Sequence, residues 1–352
     1  MSLQNPIRTA LLSYGMSGEI FHAPLLSVHQ GFLLTKIMER SSDKARHRYP
    51  EVSIVRTLDE VLADKTVELV IVNTPHATHA DLAFSVLDAG KHVIVEKPFT
   101  TTVEEGRRLM ARAKEKGLQL AVFQSRRWDG DFMTVRKIIQ SGRLGRIVEF
   151  EAHYDRYRPV VDHKIWKEIP GAGSGILYNL GAHMIDQALV LFGLPSYIDA
   201  RLGIQRIGGT SDDFYDLRLQ YDDGMLVILK SSYLVREHGP RYVIHGEAGS
   251  FRKYGLDPQE QALKEGAVPG TAGWGAELPA YYGTLTTTID GLAFTSAVET
   301  LAGNYGAFYD AIYSAIREGK ALPVTAEEAL QVIRLIALAV QSNKEKKALP
   351  VR

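Results

Sequence analysis

RTALLSYGMSG, residues 8–18, decides the fold. Residues 8–13 are short, apolar and β-capable, which predicts a buried strand. Gly15 and Gly18 follow at once, and a helical stretch starts at Glu19. The run from Ser13 to Gly18 matches G-x-G-x-x-G with the first glycine replaced by Ser13. The physics of that turn is specific. Gly15 lets backbone approach a pyrophosphate, Gly18 lets the helix pack closely on the strand, and the helix start offers unpaired N–H groups to phosphates. The competing reading is an ordinary tight turn, but a glycine pattern at the first strand–helix junction stands in the context the motif needs.

Strands and helices then alternate outward from this turn. Strands are predicted over residues 32–38, 69–73, 92–95 and 118–123, and helices over 57–63, 77–89 and 103–116, the last closed by Gly117. Apolar strands alternating with helices imply a doubly wound parallel sheet covered on both faces. After about residue 125 the rhythm changes. Residues 147–154 and 215–221 alternate apolar and polar side chains, and 242–244 do so less cleanly. Asp222-Asp223-Gly224 reads as a hairpin turn. Helices are expected at 134–141, 176–192 and 326–342, before a basic tail at 344–347. The expected division is a dinucleotide-binding domain over 1–124 and a substrate-binding and oligomerisation domain over 125–352. The second is an open, mostly antiparallel sheet with helices on one side, leaving a face for a second subunit.

Composition narrows the function classes. The 352 residues carry 41 basic and 41 acidic side chains and no cysteine. Balanced charge gives no general attraction to nucleic acid or anionic membranes. The lack of cysteine excludes disulfides, thiol catalysis and thiolate metal sites, and fits a cytoplasmic location. No apolar run approaches the roughly 18 residues of a membrane span, and residues 1–9 do not read as a signal peptide. His76 and His79 lie far from His183 in sequence and no tight histidine–carboxylate cluster surrounds them, so no metal site is expected.

Two further stretches carry chemistry. Glu39 ends the second strand, where an acidic residue takes ribose hydroxyls, and Arg40, Ser41 and Ser42 follow it. The acid favours NAD because it repels a 2′-phosphate, whereas the guanidinium favours NADP because it grips one. The message is mixed, and a solvated charged loop also fits Arg40 and the serines. Glu96-Lys97-Pro98-Phe99 places a lysine just past the end of a buried strand, where open parallel sheets bind ligands. Pro98 favours an extended Lys97. Within residues 171–186 (GAGSGILYNLGAHMID), Asn179 and His183 are four apart on one helix face and Asp186 lies three beyond. Alone, Lys97 reads as a surface lysine and His183 as a core histidine.

Together these stretches resemble the glucose–fructose oxidoreductase / inositol dehydrogenase (Gfo/Idh/MocA) family over essentially the whole chain. The landmarks are Tyr14 to Gly18, Phe21-His22-Ala23-Pro24-Leu25, Asn73-Thr74-Pro75, His79, Glu96 to Phe99, and Gly181-Ala182-His183-Met184-Ile185-Asp186. Within the family the NADP-dependent scyllo-inositol 2-dehydrogenases are the nearest resemblance, through Glu39 to Ser41, Arg126 to Asp129, Tyr178 to Gly181 and Gly303 to Gly306. The resemblance implies an N-terminal Rossmann fold and catalytic roles for Lys97, His183 and Asn179. Asn179 stands where most members carry aspartate, so it orients His183 by hydrogen bonding and not by charge. A cofactor set of Gly15, Met16, Ser17, Gly18, Glu39, Arg40, Ser41, Asn73, Thr74, Pro75, His79, Glu96, Lys97 and Gln124 follows, holding NADP, with NAD as the alternative. Substrate contacts are expected from Arg127, Trp128, Tyr157, Trp166, Asn179 and His183, for a small polyol or sugar. Each of the aromatic and arginine positions also fits a purely structural role. A homodimer or homotetramer is expected. The competing functions are a dehydrogenase or reductase for another sugar or ketone, a non-catalytic nicotinamide-binding regulator, and a hydrolase that uses NAD transiently.

Overall fold

The computed structural model describes residues 5–162 and 168–351. Two compact units make up the chain. The first runs to Trp128 and takes in Gln259–Trp274 and Asn304–Leu330; the second comprises Asp129–Pro258, Gly275–Gly303 and the residues from Gln331 onward. The chain thus returns twice to its first unit, through segments that a linear division at 124/125 assigns to the second.

In the first unit β1 (Ile7–Leu11), β2 (Phe32–Met38), β3 (Ser53–Val55), β4 (Leu69–Val72), β5 (His92–Glu96) and β6 (Leu120–Phe123) form one sheet in the order 3-2-1-4-5-6. Every pairing is parallel. This is the doubly wound order of a dinucleotide fold, with the strand order reversing between β1 and β4. All four residues of β4 and of β6 are buried, as covering on both faces requires. Helix ends are set locally: Thr102 and Glu105 form a capping box ahead of Val103–Lys116, and Gly117 closes that helix in the left-handed region at φ 65°.

The helix expected from Glu19 begins differently. Ser17–His22 is a π-helical turn that passes into the α-helix Ala23–Val28. Pro24 supplies the reason: it has no N–H to offer the preceding turn and its ring crowds the carbonyl four residues back. The Ala23 N–H instead reaches Gly18, five residues back. After β2 a short helix, Lys44–Arg48, follows the charged loop that begins at Glu39.

The second unit is built on a nine-stranded sheet: β7 (Ile147–His153), β8 (Tyr197–Gly203), β9 (Phe214–Gln220), β10 (Leu226–Ser232), β11 (Tyr242–Gly246), β12 (Gly249–Lys253), β13 (Gly283–Ile289), β14 (Leu292–Val298) and β15 (Leu349–Pro350). Their order is 14-13-12-11-7-10-9-8-15, and only the β7–β10 pair is parallel. One face buries Phe150, Ala152, Leu217, Leu219, Val227, Leu229, Tyr242, Ile244 and Phe251. The helix Ala326–Glu345 packs on β8, where Ser342 and Asn343 accept the N–H groups of Ala200 and Leu202. The alternation read from the sequence is this division of faces. Asp222 to Gly224 does turn between β9 and β10, with Gly224 at φ 84°. No helix among the described residues is long and apolar enough to cross a membrane.

Candidate active site

In the first unit the turn after β1 is held tightly. Asn73, at the end of β4, donates from Nδ2 to the Ser13 carbonyl at 2.8 Å, and the Gly15 N–H donates to Ser13 Oγ at 3.0 Å. Ser13 therefore stabilises the turn from within. A Cβ on Gly18 would lie 2.2 Å from the Ser13 carbonyl oxygen and 2.8 Å from Asn73 Nδ2, so only glycine fits. Gly15 and Met16 are exposed. Asn73 Oδ1 and Gln124 Oε1 are buried and lack a hydrogen-bond partner among the described residues. An exposed glycine turn before a helix, with unsatisfied amide oxygens at the ends of β4 and β6, fits a dinucleotide carrying phosphates and a carboxamide.

Lys97 is half-buried beyond the end of β5, and its bond to Pro98 is cis. Behind it lies a buried chain of polar groups. Glu96 accepts the Lys97 backbone N–H on Oε2 at 2.9 Å, and on Oε1 it accepts Ser17 Oγ at 2.5 Å and His22 Nε2 at 3.1 Å. Tyr309 Oη lies 2.6 Å from His22 Nδ1. Burial alone would raise the Glu96 carboxyl, but the hydrogen bonds and charge of His22, the Ser17 hydroxyl and the Lys97 ammonium outweigh it and hold it at about 2. An ionised carboxylate only accepts, so His22 Nε2 carries hydrogen. Glu96 therefore ties the glycine turn to the Lys97 loop. The sequence alone singled out neither His22 as its partner nor Tyr309, which is 287 residues away from His22; no local signal links them.

His79 is wholly buried. Its Nδ1 lies 2.9 Å from the Pro98 carbonyl and its Nε2 3.0 Å from that of Thr74, and burial lowers its pKa. It staples the Asn73-Thr74-Pro75 loop to the Lys97-Pro98 loop. The Glu39 carboxylate turns inward, at 5% exposure, and accepts Ser42 Oγ and the N–H groups of Lys44 (3.1 Å) and Ala45 (2.9 Å). Arg40 and Ser41 are exposed. Arg127 donates to Glu328 at 3.3 Å and to the Pro323 carbonyl at 3.4 Å, while Trp128 packs edge-on against Phe308; these contacts hold the unit together.

In the second unit Asn179 lies in a π-helical turn, Leu177–Gly181, and His183 in the first turn of the α-helix Ala182–Phe192. The Ala182 N–H reaches Leu177, five residues back, so the expected four-residue face is widened at this junction. His183 is buried. Asn179 Nδ2 reaches Tyr233 Oη at 3.4 Å. Asp212, unremarked in the sequence, sits at the start of this helical run: its carbonyl accepts the Ile176 N–H at 2.8 Å and its Oδ2 the Leu177 N–H at 2.9 Å. Burial raises its carboxyl above the ordinary value despite those bonds. Gly175, at φ 86°, makes room, since a Cβ there would stand 2.0 Å from Asp212 Oδ1. Tyr233 lies against the buried Arg206 guanidinium, 4.8 Å from its ring centre, and Arg206 pairs with Asp213 at 2.9 Å and Glu168 at 3.3 Å. Tyr157 is half exposed beneath Arg236. Trp166 falls outside the described residues.

Comparison with known proteins accords with this geometry. Residues 7–124 match the oxidoreductase family's NAD-binding Rossmann fold and residues 136–352 its C-terminal alpha/beta domain. The chain is 43% identical to the scyllo-inositol 2-dehydrogenase (NADP(+)) IolW of Bacillus subtilis, over 97% of this chain and 95% of that one. It is 39% identical to the oxidoreductase YdgJ of Escherichia coli, over 99% of each. Among solved structures, the oxidoreductase YvaA of Bacillus subtilis superposes with a TM-score of 0.96 at 42% identity, over 99% of both chains. The chain belongs to the Gfo/Idh/MocA family of NAD(P)-binding oxidoreductases.

Proposed function

We propose that the protein oxidises a secondary hydroxyl of a cyclic polyol or sugar, of the scyllo-inositol kind, with NADP as hydride acceptor. Lys97 carries this reading: a half-buried lysine at a strand end, its backbone N–H held by a carboxylate that stays ionised. Similarity to an NADP-dependent scyllo-inositol 2-dehydrogenase supports the substrate class and the cofactor.

The cofactor, when bound, supplies an acceptor for the hydride leaving carbon. The chain's own residues do the rest. Lys97 donates a hydrogen bond to the reacting oxygen and stabilises its developing negative charge. His183 takes the hydroxyl proton as general base. Asn179 orients His183 or a substrate hydroxyl. The C–H and O–H bonds break, a C=O bond forms, and the proton passes from His183 to solvent. Gly15 to Gly18 would hold the cofactor's phosphates, Asn73 and Gln124 would offer it their free amide oxygens, and Arg40 and Ser41 would take the 2′-phosphate.

The test is a panel of inositols and sugars with NADP and NAD, read by absorbance of the reduced nicotinamide, on wild type and Lys97→Met. Turnover should fall by at least about 10²-fold in the variant with cofactor binding retained. Near-normal turnover in Lys97→Met overturns the assignment.

A further inference from the structure

We propose that Arg56 and Glu39 are positioning residues that shape the loop Glu39–Asp43 into a phosphate-accepting surface, and so set the preference for NADP over NAD. This rests on the NADP reading above and concerns residues that touch the loop from behind.

The loop joins the end of β2 to the helix Lys44–Arg48. Asp43 occupies the N-cap position of that helix yet makes no side-chain cap bond. Glu39 does the capping: one carboxylate oxygen accepts the Lys44 N–H and the Ser42 hydroxyl, and the other accepts the Ala45 N–H. From the next strand connection, Arg56 spreads its guanidinium across the same loop. Its Nη1 donates to the carbonyls of Glu39 (2.7 Å) and Ser42, and its Nη2 donates to Asp43 Oδ1 at 2.8 Å.

The electrostatic consequence follows from where each charge ends up. Glu39 faces inward and is satisfied by N–H and O–H donors. Asp43 is neutralised by Arg56, and two loop carbonyls are turned onto the same guanidinium. What the loop shows to solvent is Arg40, Ser41 and the Asp43 carboxylate paired with Arg56, followed by exposed Lys44, Arg46 and Arg48. Arg40 has no hydrogen-bond or ion-pair partner among the described residues. A free acid at the end of β2 would take ribose hydroxyls and repel a phosphate dianion. With both its oxygens engaged by inward donors, Glu39 is held off the ribose hydroxyls and its charge is directed away from the loop surface, and the arginine beside it is left for the phosphate, which a guanidinium grips through paired N–H groups. The mixed message of Glu39 next to Arg40 is resolved by this folding of the loop.

Arg56→Lys keeps the charge but loses the fork that spans two carbonyls and a carboxylate; Glu39→Gln keeps the size but loses one acceptor oxygen. NADPH and NADH are titrated separately into wild type, each variant and Arg40→Ala, read by fluorescence of the reduced nicotinamide, with far-UV circular dichroism checking the fold. For both positioning variants NADPH should bind about tenfold more weakly, the weight of about one charge-assisted hydrogen bond, while NADH stays within about twofold. If wild type favours NADPH and Arg40→Ala loses the preference, but Arg56→Lys and Glu39→Gln keep it, the positioning role is overturned and the NADP reading stands. A wild type that binds NADH as tightly as NADPH removes that reading and the inference with it.

Discussion

Glu96→Gln isolates the buried carboxylate behind Lys97. In the native chain both Glu96 oxygens accept, Oε1 from Ser17 and His22 and Oε2 from the Lys97 N–H. Glutamine has one acceptor oxygen and one NH₂, so whichever way it turns, a donor faces a donor. Losing charge-assisted bonds of this kind costs about 1.5–3 kcal/mol each, and at least one is lost outright. A second route gives a similar size. Holding the carboxyl at about 2 instead of the ordinary 4.5 corresponds to about 3 kcal/mol of stability at neutral pH. The folded-state value is depressed, so this stability is fully present above about 4.5 and is lost as pH falls toward about 2. Urea unfolding of wild type and Glu96→Gln should differ by about 3 kcal/mol at pH 6, and the gap should narrow by about 1 kcal/mol at pH 3.5. Other carboxylates are common to both proteins and cancel in the difference. A gap under about 0.5 kcal/mol, or one that does not depend on pH, refutes the reasoning.

Gly18→Ala puts a methyl against the Ser13 carbonyl and Asn73; overpacking of about 1–3 kcal/mol and a weakened Asn73–Ser13 bond of about 1 kcal/mol should lower Tm by at least ~2 °C and weaken cofactor binding, checked by calorimetry and nucleotide titration. Asp212→Asn keeps an acceptor for the Leu177 N–H and removes a charge that burial disfavours. The native carboxyl is raised in the folded state, so wild type loses stability as pH climbs from the ordinary aspartate value through the folded one. Asp212→Asn should escape that loss and be at least as stable at pH 7. Asp212→Ala, without the cap, should lose about 1 kcal/mol; thermal melts across pH 4–7 read both.

Much of the first unit was legible because its signals are local. Four apolar residues in β4, the Thr102 capping box and the glycines after β1 each announce their structure within a few positions. The π-helical turn at Ser17–His22 was hidden, although Pro24 marks it, because a proline in the first turn of a helix ordinarily starts a helix and does not widen one. The β13–β14 hairpin also went unread, yet Asp290 and Gly291, at φ 50° and 81°, form the Asp-Gly turn that favours hairpins. There the threonines of β13 and the largely exposed residues of β14 blur the usual alternation. Lys97, His183, Glu96 and His79 stood out through resemblance, whereas the contact of His22 with Tyr309 did not. Tyr309 and His22 meet only once the fold brings the helix Gly306–Glu318 to the first unit.

The acids explain why motif reading is least secure at charged positions. Glu39 accepts the N–H groups of Lys44 and Ala45, Glu96 that of Lys97, Asp212 that of Leu177, and Asp213 those of Gln205 and Arg206. The donors lie where a strand gives way to a loop or a helix begins, and there the backbone leaves N–H groups with no partner in a regular element. A buried N–H left unpaired costs about 1–3 kcal/mol, so a nearby carboxylate is drawn to it before any ligand arrives. A sequence motif records that an acid is present, but not how many backbone donors compete for it. At Glu39 three donors compete, and the acid that would mark NAD becomes the cap beneath a basic loop. On the proposed NADP reading, Arg40 and Glu39 cease to contradict each other: the carboxylate folds the loop that presents the guanidinium.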